Sequence, residues 1–157
     1  MKDVFTENQK FKQPWLWVIM IGVTLIPIIG IIQQVILDKP FGNKPAPDMA
    51  LYVMLIICLG LCALFYFMHL QTTIDQQGIT VQFFPLATKK VNWNEIQNVT
   101  VVDYGFVGGW GIRLGTKYGT VYNMAGRKGL AIELKNGKKF LVGTQQETAL
   151  KEFLENR

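Results

Sequence analysis

The sequence contains no serine, one histidine and only two cysteines. The absence of serine excludes a serine nucleophile. His69, Cys58 and Cys62 all precede residue 71, so residues 71–157 hold neither an ordinary His/Cys metal site nor a disulfide framework. No carboxylate pair stands in a motif-like spacing. We therefore predict that the chain is not an enzyme and that it carries no metal and no cofactor.

Glycine motifs that bind phosphate are also missing, although the chain has 15 glycines. Gly109-x-Gly111 is followed by Leu114 where a third glycine is required, and no Gly-Lys-Ser or Gly-Lys-Thr sequence occurs. The formal net charge of +5 is modest, and the basic residues are dispersed among acidic ones. This dispersion is typical of a solvated surface and gives no indication of nucleic-acid binding.

Charge is absent from two long apolar stretches, one between Lys12 and Asp38 and one between Asp48 and Asp75. Each can supply the ~20 apolar residues that cross a bilayer as a helix. The first stretch is too long for a signal peptide, so we predict a retained anchor. The predicted organisation is a cytoplasmic tail (1–13), a first transmembrane helix (14–37), a short external loop with three prolines (38–48), a second transmembrane helix (49–70) and a β-domain (71–157).

Aromatic and basic residues indicate how the two helices are oriented in a cell membrane. Trp15 and Trp17 begin the first helix, and Tyr66 lies near the end of the second, as expected for side chains at one headgroup region. The lysine distribution favours both termini in the cytoplasm. Cys58 and Cys62 share a helix face, which indicates small residues packing against the first helix.

From Gln71 onward the pattern changes to short β-prone stretches separated by turn residues, which predicts about seven antiparallel strands. The first hairpin turns at Asp75–Gly78, where we expect Gly78 to take a positive φ. Asn94–Ile96 is predicted to be another short turn. Thr144 and Glu147 form a predicted capping box for a C-terminal amphipathic helix.

The last hairpin has the clearest signal, because Lys135-Asn136-Gly137 separates two apolar strands. A three-residue loop with Gly137 in a bulge brings apolar residues opposite each other and matches opposite charges on the wet face. The predicted pairs are Leu130 with Val142, Ile132 with Phe140, and Glu133 with Lys139.

Three segments resemble the bacterial pleckstrin-homology-like (PH-like) domains that are joined to two-helix membrane hairpins. They are Lys89–Ile96, with its basic-apolar-Trp-x-x-Ile pattern, Gly108–Arg113, and the closing LKNGKKFLVGTQ with its helix. The resemblance implies a membrane helical hairpin plus an all-β PH-like domain. It implies no particular activity, because members of this group are largely uncharacterised. An OB-type barrel is the rival fold, and the terminal helix favours the PH-like one.

Glycines beside Trp110 would let a partner backbone approach closely, with Trp110 and Arg113 as anchors of the kind that is enriched in protein interfaces. The alternative is a bulged strand whose Trp110 fills the core and whose Arg113 covers it. Lysines of the last hairpin are candidates for contact with anionic lipid. The candidate binding residues are Gly109, Trp110, Gly111, Arg113, Tyr122, Asn123 and Arg127, and the candidate lipid contacts are Lys135, Lys138 and Lys139.

The sequence therefore favours a membrane-anchored, non-enzymatic module at the cytoplasmic membrane face. Its expected partners are membrane lipids and another protein or a second copy of itself, with no nucleic acid. Two alternatives stay open: an immunity or envelope-stress protein against membrane-active peptides, and an accessory transporter or lipid-binding subunit.

Overall fold

The structure is a computed structural model that describes residues 4–156. The chain divides into two compact units. One is Lys12–Phe67, and the other combines the residues that precede it with those that follow it.

The first of these units consists of two apolar helices. Helix α1 spans Pro14–Ile31 and continues as a π-helical turn over Ile32–Ile36, and helix α2 spans Asp48–Phe67. Both are long and apolar enough to cross a membrane, as predicted. The second helix is shorter than predicted, because the chain becomes extended at His69 and buries Leu70 completely in the β-domain.

Helices α1 and α2 contact each other through small residues and through aromatic rings. The hydroxyl of Thr24 lies 3.6 Å from the sulfur of Cys62, and Cys58 is buried. At one end of the pair, the rings of Trp17 and Tyr66 meet edge to face at 6.5 Å. Cys62 therefore lies against α1, as predicted for a small packing residue.

Nine strands lie within the described residues, more than the seven or so predicted. A four-stranded antiparallel sheet has the order β1-β2-β3-β4, and a five-stranded sheet has the order β5-β8-β9-β7-β6. In the second sheet, β7 runs parallel to β9, so the sheets are not antiparallel throughout. The strands are β1 (Phe5–Lys10), β2 (His69–Ile74), β3 (Gly78–Phe84), β4 (Ala87–Asn92), β5 (Ile96–Asp103), β6 (Gly111–Thr116), β7 (Gly119–Asn123), β8 (Lys128–Leu134) and β9 (Lys139–Thr144).

The register of the last hairpin is confirmed at each predicted pair. Ile132 lies opposite Phe140, both almost fully buried, and Leu130 lies opposite Val142. Gly137 has a φ of 80° in the loop. On the wet face, the Lys139 ammonium lies 2.6 Å from the carboxylate of Glu133. Turn geometry and side-chain pairing therefore agree with the sequence pattern.

The first hairpin also forms, but Gly78 serves a different purpose from the one predicted. Its φ is not positive. Instead, a Cβ at this position would collide with the backbone carbonyl oxygen of Val91 on β4. Gly78 is therefore required for close strand approach, and the turn is closed by the Asp75 carboxylate, which accepts hydrogen bonds from the backbone N–H groups of Gln77 and Gly78.

Residues 93–96 connect the two sheets and do not form a hairpin turn. Trp93–Glu95 is a 3₁₀ turn, and β5 begins at Ile96 in the other sheet. The indole N–H of Trp93 donates to the carbonyl oxygen of Asp75 at 2.8 Å. This bond ties the crossover to the first hairpin.

The segment predicted to be a tail contains strand β1. β1 pairs with β2 over six residues, so the strands on either side of the helical unit are neighbours in one sheet. Phe5, Glu7 and Gln9 are buried in alternation with exposed residues. The strand is not recognisable from the sequence, because its inward face is partly polar.

Both buried polar side chains of β1 bond to the end of β9. The Glu7 carboxylate accepts hydrogen bonds from the Thr144 hydroxyl at 2.6 Å and from the Gln145 N–H at 2.7 Å. The Gln9 amide donates to the Gly143 carbonyl oxygen at 2.7 Å. The first strand is therefore held to a segment almost the whole chain away.

Helix α3 spans Glu147–Glu155 and buries Leu150. The predicted capping box is wrong, because Thr144 ends β9 and lies two residues ahead of the N-cap residue Gln146, whose backbone N–H donates to the Thr144 hydroxyl at 3.0 Å. The Glu147 carboxylate instead bonds to the Lys151 ammonium one turn later at 2.7 Å.

Candidate functional site

A cavity of about 400 Å³ opens in the β-domain between the loop that follows β5 and the loop that follows β7. Such a volume lies at the lower end of the range for ligand pockets, which is roughly 300–1,000 Å³. The cavity is lined by Gly105, Phe106, Val107, Gly109, Trp110, Asn123, Gly126 and Arg127.

Two glycines that face each other on strands β8 and β9 make room for the side chain of Tyr104. Gly129 and Gly143 are register partners, and a Cβ on either would approach the Tyr104 ring or its hydroxyl closely. The missing side chains thus leave space for Tyr104, which is 4% exposed. Burial raises the pKa of its phenol, so Tyr104 keeps its proton at neutral pH.

The Tyr104 hydroxyl fixes the orientation of the buried Asn123 side chain. That hydroxyl donates its proton to the carbonyl oxygen of Gly126 at 3.2 Å, so it can only accept from Asn123. The Asn123 Nδ2 group donates to it at 3.2 Å and approaches the Gly109 carbonyl oxygen at 3.4 Å. A flipped amide would place its oxygen against that carbonyl and lose both bonds.

This orientation leaves the amide oxygen of Asn123 as an unused acceptor. Asn123 is 2% exposed, and no group within residues 4–156 donates a hydrogen bond to its Oδ1 atom. Asn123 lines the cavity, but its Oδ1 atom is fully buried, so the acceptor does not open into the cavity.

The rim of the cavity is apolar and exposed. Phe106 is 82% exposed and Trp110 is 37% exposed. The alternative in which Trp110 fills the core is therefore wrong.

Arg113 supports the loop from outside the cavity. Its guanidinium donates to the Trp110 carbonyl oxygen at 3.1 Å and packs against Gly109 where a Cβ would stand. Gly109 also has a φ of 124°, which side chains other than glycine rarely allow. The loop shape is thus specified by glycine and by one arginine.

Charges beside the cavity pair at the surface. The N–H of Gly105 donates to the Asp103 carboxylate at 2.9 Å, which holds the pKa of Asp103 below its ordinary value, and two cations add to this effect. These cations are Arg127 and Lys128, each 3.6 Å from the carboxylate. Such exposed pairs are weak in water, so they orient Arg127 at the rim without immobilising it.

Four of the seven candidate binding residues line the cavity: Gly109, Trp110, Asn123 and Arg127. The other three, Gly111, Arg113 and Tyr122, lie in the β6–β7 ladder beside it.

Sequence reasoning missed Gly105, Phe106 and Val107, as well as the role of Tyr104. These residues could have been found from the segment Tyr104–Trp110, which is rich in glycine and aromatic residues and lies between two strands.

The lysines considered for lipid contact are all exposed, and they lie on the turn between β8 and β9 and at the first residue of β9. Lys139 is paired with Glu133. Burial, together with the charge of nearby Lys138, lowers the pKa of Lys89, whose ammonium lies 4.1 Å above the Phe140 ring. Basic charge therefore gathers at this turn.

In the part of the chain that the structure describes, no group of three or more His, Cys, Asp or Glu side chains could hold a metal ion. In comparisons with known proteins, no family model and no curated protein matches this chain.

Proposed function

We propose that this chain is a non-enzymatic, membrane-anchored module with a PH-like β-domain, which binds another protein or a second copy of itself at the cytoplasmic membrane face. The cavity between the β5–β6 and β7–β8 loops is the binding site in this proposal. The observation that carries it is an apolar, exposed rim around a pocket whose frame is held by the hydrogen bonds of Tyr104 and Asn123.

Membrane anchoring is supported by the surfaces of α1 and α2. Most of their large apolar side chains are exposed, including Val18, Ile56 and Ile57, each between 56% and 69%. Such surfaces are costly in water, at about 25 cal/mol for each Å² of apolar area. A lipid environment removes this cost.

The PH-like assignment is supported by two sheets of four and five strands that are followed by an amphipathic helix. It differs from the expected pattern in the parallel β7–β9 pair and in the first strand, which comes from before the helical unit.

A binding role is supported by the cost of leaving the rim uncovered. Phe106 and Trp110 expose aromatic surface, and large aromatics are the residues that most often dominate binding energy at interfaces. The frame below them is built from two buried, hydrogen-bonded side chains, Tyr104 directly after β5 and Asn123 at the end of β7, so the site is preformed. A catalytic role has less support, because residues 71–157 contain no serine, cysteine or histidine.

The test is photo-crosslinking in cells with a benzophenone amino acid at Phe106, compared with the same probe at Lys151 on exposed α3. We expect a discrete adduct from position 106 only. Trp110→Ala should reduce the yield several-fold, whereas Leu114→Ala, which also removes an exposed apolar side chain but lies outside the cavity, should leave it unchanged. Equal capture at both probe positions, or no effect of Trp110→Ala, would contradict a binding role for the cavity.

Anchoring is tested separately by extracting membranes at alkaline pH. The full chain should stay with the lipid fraction. Release into the soluble fraction would contradict the transmembrane part of the proposal and leave the cavity test intact.

A further inference from the structure

We infer that the β3–β4 turn of the β-domain inserts its exposed apolar side chains, Phe84 and Leu86, into the surface of the lipid bilayer that holds α1 and α2. This inference rests on the membrane anchoring in the proposed function. It adds a second contact with lipid, which the β-domain makes itself and which lies apart from the cavity.

The β3–β4 turn has an apolar composition that is rare for a turn exposed to water. Its residues are Phe84, Pro85 and Leu86, and Phe84 and Leu86 are 42% and 60% exposed. Turns in water usually carry polar residues or glycine, as the Asp75–Gly78 turn at the other end of β3 does. Adjacent apolar side chains that stay exposed are typical of surfaces that meet a membrane or another protein.

The backbone of this turn is fixed to the rest of the β-domain. The Leu86 N–H donates to the carbonyl oxygen of Phe83 at 2.8 Å, and the Phe83 side chain is buried in the core. The ring of His69 on β2 stacks on the Phe84 ring, with centroids 5.1 Å apart. The exposed apolar side chains are therefore presented by an ordered turn.

The covalent chain keeps the turn close to the membrane. Only Met68 separates the end of α2 at Phe67 from the start of β2 at His69, so the Cα atoms of Phe67 and His69 are at most about 7 Å apart. Phe84 is the register partner of His69, which adds about 5 Å. Because each headgroup layer of a bilayer is roughly 5–8 Å thick, the turn can reach that layer from the end of α2.

The connection to α1 leaves from the same edge of the sheet. β1 ends at Lys10, opposite His69, and α1 begins at Pro14. Lys10 and Lys12 are exposed, and no Asp or Glu occurs in residues 8–14, 67–71 or 83–88. Cations beside exposed apolar side chains suit the interface of a membrane, where lysines meet lipid phosphates. Position and charge together favour a lipid surface over a protein partner.

Photo-crosslinking from the turn identifies what it touches. A benzophenone amino acid replaces Leu86 in the full chain, which is reconstituted in nanodiscs of phosphatidylcholine and phosphatidylglycerol, and adducts are identified by mass. The control probe replaces Gln76, an exposed residue at the opposite end of β2 and β3, roughly 17 Å farther along the strands. We expect the yield of lipid adducts from position 86 to be at least fivefold that from position 76.

Benzophenone is itself apolar, so the wild-type chain is tested as well. A lipid that carries a nitroxide beside its headgroup increases the relaxation of nearby amide protons, and this increase should be several-fold larger at Ala87 than at Gln76. Leu86→Glu places a charge in the turn and should reduce the increase at Ala87 at least twofold. Gln76→Glu, a charge at the distant turn, should leave it unchanged. Both substitutions are at exposed positions, so both variants should fold.

Equal lipid capture from positions 86 and 76, or equal relaxation at both turns, would overturn the inference. Adducts with the mass of a second chain in place of lipid would also overturn it and would assign the turn to self-association. Failure of the membrane anchoring is recognised separately, because alkaline extraction would then release the chain. A chain that stays with the membrane and gives no lipid adduct from position 86 contradicts this inference alone.

Discussion

The hydrogen bonds of Glu7 offer a quantitative test of how the first strand is held. The substitution Glu7→Ala removes the acceptor for the Thr144 hydroxyl at 2.6 Å and for the Gln145 N–H at 2.7 Å. Hydrogen bonds to a charged group contribute about 1.5–3 kcal/mol each. We expect the free energy that opens β1 to fall by roughly 3–5 kcal/mol, since both donors are left without their partner.

Hydrogen exchange followed by mass spectrometry on the full chain in detergent measures this opening. A tenfold change in an equilibrium corresponds to about 1.4 kcal/mol, so amides of Phe5–Lys10 should exchange about a hundredfold faster or more. Asn8→Ala is the matched control, because Asn8 lies on the exposed face of the same strand. It should change the opening free energy by no more than about 0.5 kcal/mol.

A double-mutant cycle with Thr144→Val isolates one of the two bonds. If Glu7 and Thr144 act through their hydrogen bond, their coupling energy should be about 1.5–3 kcal/mol. Additivity of the two substitutions within about 0.5 kcal/mol would refute the reasoning, as would unchanged exchange in Glu7→Ala.

Three further predictions concern the β-domain. Gly78→Ala should destabilise it by more than about 1 kcal/mol, because the new methyl group meets the carbonyl oxygen of Val91; an unchanged or higher Tm would contradict this. The pKa of Asp103 is lowered in the folded state, so its contribution to stability is present above its unfolded-state pKa of about 3.9 and is lost as the pH falls through the lower folded-state value. Asp103→Asn should therefore make the free energy of unfolding depend less on pH in the acid range. An unchanged pH dependence would count against this prediction. Lys138→Ala should raise the lowered pKa of Lys89 toward its ordinary value by removing a like charge, which ¹⁵N detection of the ammonium during a pH titration measures; no change would exclude the repulsion.

The features that could be predicted from the sequence depend on residues that are close together in the chain. The β8–β9 register follows from the Lys135–Gly137 loop and from pairs such as Ile132 with Phe140. The loop and both strands belong to one short segment of the sequence. The two apolar helices were predictable for the same reason, because hydrophobic length is a property of one segment.

Strand β1 could not be predicted from the sequence, because it depends on contacts between distant segments. Strand β1 was missed because Glu7 and Gln9 occupy its buried face, and their partners lie at residues 143–145. The Thr144 capping box was wrong for a different reason, because β9 runs through Thr144 and the helix begins only at Glu147, so the Thr144 hydroxyl accepts from the Gln146 N–H ahead of the helix.

The candidate site shows both situations. Glycines around Trp110 marked the loop correctly, and four of the seven named residues line the cavity. Whether Trp110 filled the core depended on where β5, β7 and their loops lie relative to each other. The space for Tyr104, made by Gly129 and Gly143 on paired strands, depends on that packing too.

The bonds between β1 and the end of β9 also set an order of events during synthesis. Glu7 leaves the ribosome early, and its partner Thr144 follows 137 residues later. At about 5–20 residues per second, the delay is roughly 7–27 seconds. During that interval both apolar helices and β2 are made, so β1 can join its sheet through backbone pairing with β2 before Glu7 finds a donor. A nascent chain stalled ahead of residue 144 therefore pairs its first strand with β2 but lacks the Glu7 bonds, which the last residues of the β-domain complete.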